Sequence, residues 1–241
     1  MSAFETDGFV VLGADPRVKK WAQAAYKAGL RVASDAAQKA RWLRHQNTWF
    51  VGVDALPNAP DGSLDGTALC GPWEELVDTP AAWHPAQLSV TYPGYPGQDA
   101  HESDANHRFR VRRCGAHVDG ILLEDGRRYL REPHSFILGL PLNDCAACPL
   151  VIWPGSHRVI GPALRAARAV SEDITDAYKA IRAQCFEQIT PLRLRAAPGE
   201  SLLLHRHMLH GIAPWQAGDV MPPEGRMMAY FRPQLERIRD W

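Results

Sequence analysis

Apolar residues recur at helical spacing along residues 15–44, through Trp21, Ala25, Leu30, Val32 and Ala36, behind an Asp15-Pro16 pair that suits a helix start. Residues 4–12 precede it and predict a first strand, so the chain opens as strand then helix. Residues 57–85 are rich in Pro, Gly and Asp, which predicts loops around one short helix near residues 72–77. From Gln87 onward the texture changes to short β-type runs separated by turn residues, at 88–92, 109–114, 136–142, 150–153, 192–196, 201–204 and 226–231. One helix over residues 171–186, capped by Ser171 with Glu172 and Asp173 in its first turn, interrupts them. Helices in front and many short strands behind predict a mainly β fold with flanking helices and a jelly-roll core. The whole chain, 1–241, reads as a single domain in which a helix-rich segment, 1–86, supports a jelly-roll core, 87–241.

Composition narrows the partners. At 46% hydrophobic residues the chain can bury one substantial core. Lys plus Arg equals Asp plus Glu at 27 each, so no global field favours nucleic acid or an anionic membrane. The opening residues carry Glu5 and Asp7 ahead of a very short apolar run, unlike a secretory signal. No stretch approaches the ~20 apolar residues of a membrane span. These features predict a cytoplasmic protein acting on a small molecule, with its five cysteines reduced.

The chemistry concentrates in two places. In His117-Val118-Asp119, metal-competent side chains at i and i+2 point to the same side of an extended chain. Far downstream, an apolar run from Ser201 delivers His205, His207 and His210 to Gly211. Two imidazoles and a carboxylate on one face leave three positions of an octahedral iron(II) open, the number that a bidentate oxoacid and dioxygen need. Alone, a His-x-Asp triplet is a common chance match.

Order along the chain adds specificity. Phe4-Glu5-Thr6-Asp7-Gly8-Phe9-Val10-Val11-Leu12 resembles the opening of phytanoyl-CoA dioxygenase-like proteins. Pro154-Gly155-Ser156-His157 resembles their internal PGSH turn, and Gly199-Glu200 through His210-Gly211 their GD-to-HG strand. The resemblance implies a double-stranded β-helix (jelly roll, cupin-like), iron(II), 2-oxoglutarate and O2, with His117, Asp119 and His210 as both metal ligands and catalytic centre. It implies an Fe(II)- and 2-oxoglutarate-dependent dioxygenase that hydroxylates a small molecule and forms succinate and CO2. It also implies an arginine beyond the distal histidine that pairs with the far carboxylate of 2-oxoglutarate. Arg226 starts the matching strand and a planar guanidinium suits that task, while Arg232, further along the same strand face, is its rival. Two departures stand out: the interval from His210 to Arg226 is long, and Ile212 replaces a hydroxyl residue. The QLSVTYPG segment from Gln87 resembles the tyrosine-bearing strand of prolyl-hydroxylase-type oxygenases, which makes Tyr92 a candidate for the cosubstrate pocket.

Other groupings compete for the same residues. Cys114 with His117, and Cys145 with Cys148, have spacings that suit structural zinc. His205 and His207 are alternatives to His210, and Trp153 is either a substrate contact or core. Arg108, Arg110 and Arg112, with Arg127, Arg128 and Arg131, form a local basic region that reads as a solvated strand face. A metal-binding jelly-roll protein without turnover, or one that never uses 2-oxoglutarate, is the second functional reading.

Overall fold

A computed structural model describes residues 3–241. The chain opens with a short helix, α1 (Ala3–Asp7), and turns at Gly8 into strand β1 (Phe9–Leu12), so only the second half of the expected first strand is extended. Asp15 caps α2 (Pro16–Ser34) by accepting the Arg17 N–H, with proline at the first turn as the sequence suggests. The helix expected to run on to residue 44 breaks at Asp35. That carboxylate accepts the Gln38 N–H at 2.8 Å and starts a separate helix, α3 (Ala36–Trp42). Strands β2 (Leu43–Arg44) and β3 (Trp49–Gly52) follow, then a single 3-10 turn at Pro72–Glu75 and strand β4 (Gln87–Thr91).

Residues 109–114, expected as a strand, belong to helix α4 (Asp104–Arg112), capped by the Ser103 side chain. The alternation of Arg with Phe and Val there imitates a half-buried strand, but Ser103-Asp104 supplies the start signal that decides the matter. The basic residues therefore spread around a helix, and Arg110 pairs with Glu102 at 2.5 Å. A hairpin that the periodicity did not suggest, β5 (Ile121–Glu124) and β6 (Arg127–Leu130), turns at Asp125-Gly126. Strands β7 (Phe136–Pro141) and β8 (Leu150–Ile152) fall where expected. The PGSH turn then leads into an unforeseen helix, α5 (His157–Val170). Ser171 closes α5 instead of opening the next helix, α6 (Thr175–Gln188), whose first turn is held by Asp173. Strands β9 (Leu192–Leu194), β10 (Ser201–His205), β11 (His210–Ile212) and β12 (Arg226–Phe231) complete the sheets, and a 3-10 turn at Ile238–Asp240 ends the chain.

The strands form a seven-stranded sheet, β1-β10-β7-β12-β4-β3-β2, facing a three-stranded sheet, β11-β8-β9. Pairing is antiparallel throughout, and the two sheets enclose the core as a jelly roll does. The N-terminal segment contributes three strands of the large sheet as well as its helices. Side chains on β12 alternate between two environments. Met227, Ala229 and Phe231 pack with α2 on the outer face, where Trp21 meets Phe231 at 5.5 Å. Met228 and Tyr230 face inward against Leu150 and Ile152 of the small sheet. Helices α5 and α6 cover the far side of the small sheet through Ile160, Leu164, Tyr178 and Ile181. Each large apolar side chain removed from water this way stabilises the fold by ~1.5–3 kcal/mol. Because both faces of the large sheet are covered, its central strands are buried along their whole length, and the period of two survives only as a choice between two interiors.

Candidate metal centre

The two sheets diverge at one end around a cavity of about 650 Å³, and the strongest sequence candidates meet on its wall. His117 lies on no long strand. It forms an isolated antiparallel bridge with His210 in which each residue's N–H donates to the other's carbonyl, at 2.8 and 3.0 Å. Close approach of the two segments depends on Gly211, since a β-carbon there would collide with the carbonyl oxygen of Cys114. The Val118 N–H donates to the Tyr178 hydroxyl at 3.0 Å and so ties the loop to α6. Gly120, at φ +82°, then turns the chain back so that its carbonyl accepts from Arg131 and Glu132. Between these fixtures Val118 points into the core while His117 and Asp119 point together into the cavity.

His117 Nε2 lies 3.0 Å from Asp119 Oδ1, and His210 Nε2 lies 3.6 Å from Asp119 Oδ2. One ligand atom from each of the three residues lies within 4.8 Å of the others, the only such grouping of His, Cys, Asp and Glu among the described residues. Both imidazoles are oriented from behind. His117 Nδ1 is 3.0 Å from the Gly115 carbonyl oxygen, and His210 Nδ1 is 2.9 Å from that of Met208. A carbonyl only accepts, so each Nδ1 carries a proton, which leaves each Nε2 as the atom that faces the shared point. Burial pushes His210 down to about 4, with Asp119 acting against it, so the ring is neutral near pH 7. Burial alone would raise the Asp119 carboxyl; Arg232, His210 and His117 outweigh it and hold the group well below the ordinary carboxylate range. Two imidazoles and an ionised carboxylate on one side of a point are the donor set of a mononuclear iron(II) centre with open positions.

Arg232 was not foreseen in this position. It follows β12 directly, and its guanidinium donates from Nε to Asp119 Oδ2 at 2.5 Å and from Nη1 to Gln87 Oε1 at 2.7 Å. Arg226 occupies the other end of the strand's inner face, six per cent exposed, opposite Thr91. It makes no ion pair or side-chain hydrogen bond among the described residues. Tyr92 is on the opposite side of the sheet from the cavity: Gln87 and Ser89 of β4 line the cavity, whereas Tyr92 has the parity of Leu88 and Val90 and packs toward the helices. Tyr230 faces inward and lines the cavity, and the buried Tyr95 stands edge-on to Trp49, another lining residue. Trp153 is core, against Phe186 at 5.3 Å. His205 and His207 gather with His157 behind the turn that leads to His210, and all five cysteines are free thiols.

No protein-family model matches the chain, and no curated protein matches it. Solved structures share its architecture. EctD from S. alaskensis with 2-oxoglutarate and 5-hydroxyectoine is 18% identical over 95% of this chain and 73% of that one, with a TM-score of 0.50. The non-haem α-ketoglutarate-dependent carbocyclase SnoK from nogalamycin biosynthesis is 12% identical over 95% and 81%, with a TM-score of 0.53. The epimerase SnoN, of the same description and pathway, is 12% identical over 95% and 78%, with a TM-score of 0.50. The chain has the jelly-roll fold of these enzymes. Among the described residues no helix is long and apolar enough to cross a membrane.

Proposed function

We propose that the protein is an iron(II)- and 2-oxoglutarate-dependent oxygenase of the phytanoyl-CoA dioxygenase-like type, acting on a small molecule. The observation that carries this reading is the convergence of His117 Nε2, His210 Nε2 and the Asp119 carboxylate on one point of the cavity wall, in a fold shared with α-ketoglutarate-dependent enzymes. These three residues would hold iron(II), which with 2-oxoglutarate and O2 supplies the oxidising power to hydroxylate a substrate C–H bond, leaving succinate and CO2. The retained carboxylate favours hydroxylation or a related oxidation over halogenation, which would need that position free.

The chain's own residues divide the remaining work. Arg232 holds Asp119 in one orientation and is itself held by Gln87, so the carboxylate reaches the metal point already aligned. Arg226 is buried and has no ion pair or side-chain hydrogen bond among the described residues. A buried guanidinium with no counter-charge is costly, and it becomes favourable when an anion joins it. That separates the two arginines: Arg232 is committed to a ligand of the metal, and Arg226 is the anchor for the distal carboxylate of 2-oxoglutarate. Ile137, Leu150 and Leu204 give the cavity an apolar wall, which would keep water from the reacting centre once substrate fills it.

The test is a single-turnover assay. Anaerobic protein loaded with iron(II) and 2-oxoglutarate, then exposed to oxygen, is expected to form succinate, and to form none when iron is withheld. A protein that binds iron yet yields no succinate would be the non-catalytic or oxoacid-independent jelly-roll protein instead.

A further inference from the structure

The cavity outside the metal point has a distinct electrostatic character, set by the backbone of Arg232. The N–H of Arg232 donates to His84 Nε2 at 2.9 Å, and its carbonyl faces His134 Nδ1 at 3.1 Å. Each histidine reaches on to a carboxylate of the cavity lining: His84 Nδ1 lies 3.1 Å from Asp54 Oδ1, and His134 Nε2 lies 3.3 Å from Glu132 Oε2. One residue therefore indexes two acids to the metal point, while its own side chain is spent on Asp119.

His84 accepts at Nε2, so its proton is on Nδ1, which faces both the Pro85 carbonyl oxygen at 2.7 Å and Asp54 Oδ1 at 3.1 Å. The acid side chains are 57% and 48% exposed at the mouth, where a ligand can reach them. Among the described lining residues the sole Lys or Arg is Arg232, and it is already paired. The wall between the acids and the metal point is apolar, through Val51, Val53, Ile121 and Leu122. Deeper in, Tyr230 is five per cent exposed, lines the cavity, and has a hydroxyl with no hydrogen-bond partner among the described residues. A cavity of this size with an unmet polar group inside and two acids outside is built to receive a ligand.

We infer that the substrate is a cation: a molecule with an ammonium or amidinium group read by Asp54 and Glu132, and an apolar body that lies along Val51 and Ile121 toward the metal point. This rests on the cavity being the substrate site of the proposed oxygenase. With Arg226 taken up by the cosubstrate, a carboxylated or phosphorylated substrate would meet two acids at the mouth and no unpaired Lys or Arg among the described lining residues.

The test compares three probes of one size: hexylamine, hexanol and hexanoate. Their Kd values are measured by calorimetry on the full chain, first metal-free and then loaded anaerobically with iron(II) and 2-oxoglutarate. Hexylamine is expected to bind at least about tenfold more tightly than hexanol, and hexanoate more weakly than both. Glu132→Gln and Asp54→Asn should each remove most of the hexylamine preference and leave hexanol unchanged, and Glu132→Lys should reverse the order toward hexanoate. Equal binding of the three probes, a preference for hexanoate, or a hexylamine preference untouched by these exchanges would overturn the inference. Charge discrimination by the metal-free protein does not depend on iron binding, so failure of the oxygenase reading and failure of this one give different results.

Discussion

Two histidine clusters lie at either end of residues 205–210, and among the described residues only one of them has a donor set that could hold a metal ion. At the cavity, His117 and His210 flank a carboxylate, and backbone carbonyls behind both rings turn the Nε2 atoms to a common point. Behind the turn, His157, His205 and His207 stand with ring centroids 4.9 and 5.0 Å apart, and Trp241 caps His207 edge-on at 4.2 Å. Among the described residues no carboxylate joins that second cluster at ligand distance. His205 Nδ1 accepts the His207 N–H, and Arg165 and Arg206 add positive charge nearby. Burial, reinforced by these cations, pushes His205 down to about 3 and His207 to about 2. Three packed imidazoles therefore serve as neutral aromatic filling, whereas two imidazoles and one ionised acid form a donor set. Histidine density is the weaker signal; the carboxylate and the hydrogen bond behind each ring decide.

Breaking the first cluster has the largest expected effect. Asp119→Ala removes the one anionic ligand and leaves Arg232 beside the metal point, so stoichiometric iron retention after desalting should be lost, as read by metal analysis. Arg226→Ala comes next. Iron should still bind, while the 2-oxoglutarate Kd, read by anaerobic titration, rises roughly thirtyfold, about 2 kcal/mol, as expected when one partner of a buried charge pair is truncated. Unchanged cosubstrate affinity would remove Arg226 as the anchor. Arg232→Gln should weaken iron binding by about 10- to 100-fold in a chelator competition, because Asp119 remains but loses its orienting donor.

The second cluster sharpens the contrast through pH. His205 and His207 bind protons in the unfolded chain near the ordinary value of 6.5 but resist them when folded. Their contribution to stability is thus complete above about pH 6.5 and is lost progressively as pH falls toward about 3. Thermal melts across that window should show Tm falling, and His207→Phe should flatten the dependence while leaving iron binding intact.

Much of the fold was legible from Gln87 onward because alternation there marks strands even when both faces are buried; residues 226–231 were placed to the residue. The errors share a cause, local signals outvoted by period. Residues 109–112 alternate like a strand, yet Ser103 caps a helix. Helix α5 carries Ile160 and Leu164 at helical spacing behind the PGSH turn and was missed, as was a hairpin announced by Asp125-Gly126. At the site, the i, i+2 spacing expects His117 and Asp119 to share one side of a strand; their side chains do lie together, but an isolated bridge presents them and no long strand does. The resemblance of the QLSVTYPG segment suggested Tyr92, against the parity of the strand: Gln87 and Ser89 line the cavity, whereas Tyr92 packs toward the helices. The engagement of Arg232 with Asp119 joins residues 113 positions apart and left no trace in either local pattern.

The most direct measurement of the central claim is an anaerobic iron(II) titration of three proteins side by side: the wild type, His210→Ala and His207→Ala. The account predicts one tightly bound iron for the wild type and for His207→Ala, and none for His210→Ala. Iron retained by His210→Ala, or lost from a folded His207→Ala, would contradict it.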